Sequence, residues 1–240
     1  MIKIENVEVV GWEAAIRGMR NPMNSWKKSD SECLFHALPN YSYDDPKAEE
    51  YTRYLDDYSL NLKLGPNDHS LMMRLRNAGT DHRKFMRMIA VYLDITAPLY
   101  WWKEFDTYKV GTVANSCSTM HKIHAKEFTM DDFSIEHLSE HSKAYFKELI
   151  DLLNFYRADF NNPEVDGDPK NKKFYWWQMI QLLPTSYNQR RTVQLNYEVL
   201  ASMYKSRKGH RLDEWNSLCS WIETLPYHEL ITGGEKIEEG

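Results

Sequence analysis

Large aliphatic residues recur at every second position in one short stretch of an otherwise mostly helical pattern. They are Ile89, Val91, Leu93 and Ile95. Because successive side chains of a β-strand point to opposite faces, this period of two predicts a strand with one buried face. A second alternating stretch, residues 2–9, opens the chain and predicts a half-buried strand. The fold class expected from both stretches is α+β, a mostly helical domain with a small sheet.

Apolar residues at helical spacing, with proline and turn residues between them, divide the rest of the chain into elements. Helices are predicted over residues 12–19, 46–60, 98–108, 145–156, 170–183, 190–206 and 211–225, and one more is predicted to carry Phe85 and Met88 behind a cap at Thr80 or Asp81. Loops or breaks are predicted at residues 37–46, at Asn67-Asp68, at 111–118 and at 161–169.

Composition narrows the class of protein. The 240 residues carry a net charge of −5, whereas general nucleic-acid binders show a basic excess, so no nucleic-acid polymer is expected as a partner. We expect no membrane association, because no apolar run approaches the roughly 18 residues of a span. Three scattered cysteines favour a reducing cytoplasm. We predict a single domain over residues 1–231 and a disordered tail over 232–240.

Two groups of residues resemble metal ligands. His137, Glu140 and His141 fit the inverted zinc-protease pattern H-x-x-E-H, which implies a metallopeptidase as one hypothesis. Their polar neighbours favour a solvated face instead. A second conceivable metal cluster consists of Cys117, His121 and His124. Its spacing fits no standard zinc module, so no metal is expected.

Basic residues lie beside the predicted helix at 190–206. Arg190-Arg191 would begin that helix, where free backbone N–H groups and guanidinium groups together suit a phosphate. A solvated pair of charges is the alternative. The chain contains no G-x-G-x-x-G, Walker or G-x-S-x-G motif, so the common dinucleotide, kinase and serine-hydrolase classes have no support.

Ala97-Pro98 leads into LYWWKEFDTYK and then VGTVANSCSTMH. In this order the chain resembles the flavin-dependent thymidylate synthases, in which an Ala-Pro-led helix runs into Q-x-x-R-H-R and then S-x-N-E-x-S-x-R-Y. Counting from Pro98 aligns Glu104 with the glutamine and residues 107–109 with R-H-R, of which only Lys109 keeps a cation. With one residue inserted, residues 115–118 align with N-E-x-S, and Met120 replaces the arginine of R-Y.

The C-terminal half is similar to the family in layout. The family shows Leu-Pro, an arginine, an asparagine, an arginine eleven residues later, then a histidine and an acidic residue. The matching residues here are Leu183-Pro184, Arg190, Asn196, Arg207, His210 and Glu214, with Asn216 in place of the family's last arginine. Asp81-His82 stands where the family has Glu-His.

The resemblance implies an enzyme that converts dUMP, or a related pyrimidine deoxynucleotide, to dTMP. FAD would be the cofactor, with methylenetetrahydrofolate and NADPH as co-substrates, and the assembly a homotetramer. No protein nucleophile is implied, so no catalytic residue is predicted. The implied substrate-binding residues are Glu104, Thr107, Ser118 and Arg190. The implied cofactor-binding residues are His82, Tyr108, Lys109, Asn115, Arg207 and His210.

Two questions stay open at this stage. An alternative to the enzyme is a descendant of the same fold that has lost flavin chemistry and binds a nucleotide or a partner. The aromatic residues, eight Trp and fifteen Tyr, suit either a core or a ligand platform, and we expect Tyr100 to Trp102 to be core beneath the site.

Overall fold

The stretch that begins at Ile89 lies in the middle of a four-stranded antiparallel sheet. The computed structural model describes residues 2–33, 62–162, 164 and 169–234. Within them the chain is a mostly helical α+β domain, which confirms the predicted fold class. The loop predicted at 37–46, the helix predicted at 46–60 and the end of the predicted tail lie outside the described residues.

The sheet has the order β1-β4-β6-β5, and a separate two-stranded ladder joins β2 to β3. The strands are β1 (Lys3–Val10), β2 (Glu32–Cys33), β3 (Leu62–Lys63), β4 (Ala90–Pro98), β5 (Val113–Ser116) and β6 (Asn188–Asn196). The central pair β4–β6 runs in unbroken register from Ala90–Asn196 to Pro98–Asn188. β1 pairs with β4 through a shift between Glu5 and Glu8.

Helices pack on one face of the sheet and extend beyond it. In the described part of the chain they are α1 (Trp12–Arg20), α2 (Pro66–Asn77), α3 (Leu99–Phe105), α4 (Thr119–Lys122), α5 (Glu140–Asn161), α6 (Pro169–Leu182), α7 (Tyr197–Arg207), α8 (Asp213–Ile222) and α9 (Glu229–Thr232). Short 3-10 turns cover Asn21–Met23, Trp26–Lys28, Arg83–Met88 and Met130–Asp132. None of the described helices is both long and apolar enough to cross a bilayer.

Four predicted elements differ from the structure. The helix predicted from residue 190 begins only at Tyr197, because Val193 and Leu195 alternate inward in β6 and the ladder with β4 takes this segment. Asn196 then caps α7, since its side-chain oxygen accepts from the Val199 N–H at 3.0 Å. The loop predicted at 111–118 contains β5, which pairs with the outer edge of β6.

The break predicted at Asn67-Asp68 is instead the first turn of α2. Pro66 opens that helix, and the Asp30 carboxylate accepts from the backbone N–H groups of Asn67 and Asp68. A short-range turn signal and a helix start use the same residue types, which explains the error. The residues behind Thr80 form a 3-10 turn rather than an α-helix, and no side chain caps it.

The apolar side chains form two clusters in the described residues. The larger one lies between the inner sheet face, where Val91, Leu93 and Ile95 are almost fully buried, and the surrounding helices. The smaller one joins α5 and α6 around Leu153 and Met179. The second cluster stabilises a helical hairpin beside the sheet.

A buried ion pair joins α1 to α2. The Arg20 Nε donates to the Asp68 Oδ1 at 2.6 Å, and the two side chains are 4% and 0% exposed. The other Asp68 oxygen accepts from the hydroxyls of Ser29 and Ser31. Burial by itself would raise the pKa of Asp68, but the two hydroxyls and the guanidinium outweigh it and hold the pKa below its ordinary 3.8.

We expect Asp68→Ala to lower the free energy of unfolding by about 3–5 kcal/mol, because it leaves the Arg20 guanidinium buried without a counter-ion. Since the folded-state pKa of Asp68 is lowered, its contribution is present above pH 3.8 and is lost as the pH falls through the folded-state pKa. Urea denaturation at several pH values measures both effects. Asp213→Ala, which removes an exposed pair with His137, is the control and should change little.

Candidate functional site

Four of the residues that the family resemblance picks out lie in one cluster. α3 leaves the sheet directly after β4, and Glu104 lies at its C-terminal end, with Tyr108 just beyond. α7 ends at Arg207, and His210 follows in the connection to α8. Direct contacts join these side chains, which come from segments about a hundred positions apart.

Arg207 is the centre of this cluster. Its Nε donates to the Tyr108 hydroxyl at 2.9 Å, and its Nη1 donates to the Glu104 Oε2 at 2.6 Å. The guanidinium carbon also lies 4.5 Å from the centre of the Trp215 ring. A planar guanidinium stacked on an indole is fixed in orientation as well as in position.

The Glu104 carboxylate accepts hydrogen bonds from both Arg207 and Trp215. Its Oε2 also accepts from the Trp215 Nε1 at 2.9 Å, so the carboxylate joins α3, α7 and α8. The Trp215 side chain is fully buried, whereas Glu104 is partly open to solvent. The carboxylate is therefore held by a buried donor on one side and can contact a ligand on the other.

His210 lies between the start of α8 and the other groups of the cluster. Its Nδ1 accepts from the Leu212 backbone N–H at 3.1 Å. Its Nε2 lies 3.3 Å from the Arg207 Nη1 and 3.7 Å from the Glu104 Oε2. The imidazole therefore contacts both members of the Arg207–Glu104 pair.

The aromatic cluster of α3 forms a floor under these groups. Trp101 and Trp102 are buried, and the ring centres of Trp101 and Trp215 are 4.9 Å apart. Tyr100 is half-buried and its hydroxyl donates to the buried Glu214, and burial together with that carboxylate raises the pKa of Tyr100. The prediction that residues 100–102 are core beneath the site is consistent with this packing.

Arg190 and Arg191 point to opposite faces of β6. Arg191 lies 4.2 Å from the Trp102 ring centre on the helical face and donates to the Asp106 carboxylate at 2.8 Å. Arg190 lies on the other face and donates to Asp94 Oδ2 at 2.6 Å. The prediction that both arginines begin a helix is wrong, because both lie inside a strand, so no free N–H groups of a helix start lie beside them.

Asp94 fixes the position of the Arg190 guanidinium. The Thr192 hydroxyl, the Arg190 guanidinium and the Asn6 amide all donate to it, and together they hold its pKa well below the ordinary value. The same contact raises the pKa of Arg190. Asn115 pairs with Thr192 across β5–β6, so it shares this outer face of the sheet.

Ser118 lies near the same strand pair. The backbone N–H of the preceding Cys117 donates to the Arg190 carbonyl at 2.9 Å. The Ser118 hydroxyl accepts from the His121 N–H as the N-cap of α4, and it is exposed. Arg190, Asn115 and Ser118 therefore form a second group at the β5–β6 edge.

The other predicted site residues are not joined to either group by a side-chain contact. Thr107 is exposed and its hydroxyl donates to the Glu104 backbone carbonyl. Lys109 is exposed on the segment after α3. His82 is exposed beside a cleft of about 1080 Å³ between α1 and α2, whose lining includes the basic residues Lys27, Lys28, Arg74 and Lys84.

The candidate metal ligands do not gather. His137 pairs with Asp213, and Glu140 pairs with Lys143. The His124 ring packs on Phe160, at 4.4 Å between ring centres. In the part of the chain that the structure describes, no three such side chains lie close enough to hold an ion.

Sequence reasoning missed Trp215 and Asp94. The helical spacing of Trp215 with Leu218 and Ile222 predicts only an apolar helix face, and it does not show where an indole N–H points. Asp94 falls on the polar side of the alternation at 89–95, which was a usable signal for an exposed face. Its pairing with Arg190 depends on the strand register, which spacing does not give.

No protein-family model matches the sequence, and no curated protein matches it. Solved structures do match. Flavin-dependent thymidylate synthase ThyX from Helicobacter pylori, complexed with FAD and dUMP, aligns over 95% of this chain and 99% of its own, with a TM-score of 0.59 and 14% identity. A second structure of that enzyme with FAD and dUMP gives a TM-score of 0.60 at 13% identity, over 97% and 98% of the two chains.

A third similar structure is the UMP/dUMP methylase PolB from Streptomyces cacaoi, bound with 5-Br dUMP. It covers 97% of this chain and 95% of its own, at a TM-score of 0.55 and 10% identity. At these identities the likeness shows a shared fold. The fold is that of the ThyX-like proteins over nearly the whole chain.

Glu104→Ala should lower the free energy of unfolding by about 1–3 kcal/mol, because the buried Trp215 N–H and the Arg207 guanidinium then lack their acceptor. Glu104→Gln keeps a carbonyl oxygen for the indole and should cost less. Urea denaturation followed by tryptophan fluorescence measures both variants. Equal midpoints for Glu104→Ala and the unmodified chain would contradict the contacts described above.

Proposed function

We propose that this protein is a flavin-dependent thymidylate synthase-like enzyme that methylates a pyrimidine deoxynucleotide, dUMP or a close relative, to the 5-methyl product. The observation that carries the proposal is the cluster of Glu104, Tyr108, Arg207 and His210. It lies within a fold shared over 95–97% of this chain with proteins solved with dUMP or an analogue. FAD is the proposed cofactor, and methylenetetrahydrofolate and NADPH are the proposed co-substrates.

The residues of the cluster fit a flavin nucleotide by the chemistry of their donors. Arg207 and His210 lie beside the one carboxylate of the cluster, Glu104, and Lys109 is an exposed cation on the segment after α3, so N–H donors are available for an anionic ligand. Tyr108 and the indole beneath Arg207 give planar surfaces for a ring system. The proposed cofactor residues are therefore Tyr108, Lys109, Arg207 and His210. The resemblance adds Asn115 of the second group and His82 beside the cleft between α1 and α2.

Bound FAD would supply the reducing equivalents of the reaction. The protein's own residues would bind the ligands and orient them. Arg207 is held by Glu104 and Tyr108, so its charge keeps one direction and needs no reorganisation when a ligand binds. The His210 Nε2 lies beside both the Arg207 Nη1 and the Glu104 carboxylate, so the imidazole helps to fix this pair.

The substrate would contact the second group of residues, which lies at the β5–β6 edge. Arg190 is the proposed ligand of the nucleotide phosphate, with Ser118 close by on the same strand edge, and Glu104 and Thr107 on the side of α3. Asp94 already binds Arg190, so the phosphate would share the guanidinium with this carboxylate. We also propose a homotetramer, because a site with two groups of residues can be completed by a neighbouring subunit.

An absorption spectrum with added FAD tests the cofactor. We expect flavin bands at about 450 nm that co-elute with the protein and that change on addition of dUMP. Arg207→Ala should weaken FAD binding, whereas Arg17→Ala, an exposed arginine on α1, should not. Absence of bound flavin at excess FAD would reject the enzyme and favour a nucleotide-binding or partner-binding descendant of the fold.

Binding of dUMP, compared with binding of deoxyuridine, which lacks the phosphate, tests the proposed role of Arg190. If Arg190 binds the phosphate, Arg190→Ala weakens dUMP binding by about tenfold or more and leaves deoxyuridine unchanged, because a charge-assisted hydrogen bond is lost only for dUMP. Isothermal titration calorimetry on both ligands measures the difference. Equal losses for the two ligands would show that Arg190 acts on the fold and not on the phosphate.

A further inference from the structure

Two polar residues begin the inner row of β6, which is otherwise apolar. The side chains that face the helices along this strand are Gln189, Arg191, Val193 and Leu195, and the last two are almost fully buried. Gln189 is also buried, at 8% exposed. Burial removes an amide from water, and this costs free energy unless both its donor and its acceptor are bonded within the protein.

Both ends of the Gln189 amide have a partner. Its Oε1 accepts from the Arg191 Nε at 3.0 Å, and its Nε2 donates to the Cys117 carbonyl at 2.9 Å. A guanidinium can only donate and a carbonyl can only accept, so these partners fix which end of the amide faces each of them. Arg191 is itself held by the Trp102 ring and the Asp106 carboxylate. The amide therefore has one orientation, with its N–H directed at Cys117.

The segment that receives this hydrogen bond is not held by burial. β5 lies at the edge of the sheet and its four residues are exposed, as are Cys117 and Ser118. After β5 the backbone is bonded at the Cys117 carbonyl by Gln189 and at the Met120 carbonyl by the Trp176 Nε1, at 2.9 Å in each case. Ser118 lies between these two anchored carbonyls, so hydrogen bonds set its place.

We propose that Gln189 is a positioning residue of the nucleotide site. It fixes the segment that carries Ser118 against the strand that carries Arg190. The Cys117 N–H donates to the Arg190 carbonyl, so both backbone groups of Cys117 are bound by consecutive residues of β6. This inference rests on the proposed function, which assigns the nucleotide phosphate to Arg190 and Ser118.

The benefit of this hydrogen bond lies in ligand binding. An apolar residue in place of Gln189 would suit the inner face of the sheet, but it would leave the Cys117 carbonyl without its side-chain donor. Ser118 would then have to be ordered when the nucleotide binds, and that ordering lowers affinity.

Gln189→Met and Gln189→Glu test this role. Both variants lose the donor to the Cys117 carbonyl, but Met is neutral, whereas Glu keeps an acceptor for Arg191. We expect each variant to weaken dUMP binding about tenfold in isothermal titration calorimetry. FAD binding should change less than about twofold, because Glu104 and Tyr108 hold Arg207. A merely structural role would weaken both ligands, and a loss in the Glu variant alone would be an effect of its charge.

Hydrogen–deuterium exchange followed by mass spectrometry gives a readout that needs no ligand. Peptides over residues 113–122 should exchange faster in both Gln189 variants, because the edge segment opens more often without this bond. Peptides over β4, at the centre of the sheet, should exchange as in the unmodified chain.

Asn154→Leu is the matched control. The Asn154 amide also bonds at both ends, since it accepts from the Phe128 N–H at 2.9 Å and donates to the Phe128 carbonyl at 2.8 Å. It holds a loop against α5, and neither residue belongs to the candidate site. This variant should speed exchange around Phe128 and leave dUMP binding unchanged.

The outcomes separate this role from the proposed function. An unmodified chain that binds no dUMP rejects the proposed function, and the nucleotide role of Gln189 with it. If dUMP binds with the same affinity in the Gln189→Met variant, or if Asn154→Leu weakens it equally, the positioning role alone is overturned. Unchanged exchange over residues 113–122 overturns that role whether or not dUMP binds.

Discussion

The backbone ladder between β4 and β6 is the interaction on which the rest of the structure depends. It joins two segments about a hundred residues apart, in register from Ala90–Asn196 to Pro98–Asn188. Because the pair is antiparallel, α3 leaves at one end of the sheet and α7 at the other. α7 then runs back along the sheet, and its last residue, Arg207, reaches Glu104 at the end of α3. The cluster at Glu104 is thus a consequence of strand register.

Each of three arginines near the candidate site is bound by a carboxylate from another element. The pairs are Arg190–Asp94, Arg191–Asp106 and Arg207–Glu104. Paired guanidinium groups keep a fixed direction, and they also contribute less net charge to an anionic ligand than free ones would. A ligand at this site therefore meets oriented donors beside acceptors, which favours recognition of a mixed donor and acceptor edge as well as of a phosphate.

Elements in which apolar residues repeat with a single clear period were predicted correctly from the sequence. The alternation at 89–95 and the helical spacing at 145–156 both correspond to elements of those types, because burial on one face needs one period of apolar residues. The helix predicted over residues 190–206 is wrong in its first part, because residues 190–196 belong to β6. Its second half is a strong helix, and the sequence has no break where β6 ends, so only the pairing with β4 separates strand from helix at Asn196.

The sequence by itself determined the fold class and the order of most elements, and its resemblance to a known family picked out Glu104, Tyr108, Arg207 and His210 as candidate site residues. Tertiary structure decided which side chains hold them. Trp215 donates to Glu104, and Asp94 binds Arg190, through contacts between segments far apart in the chain. Periodicity reports only which face of an element is buried, whereas a contact between two elements depends on their register and packing, which are set by the whole core.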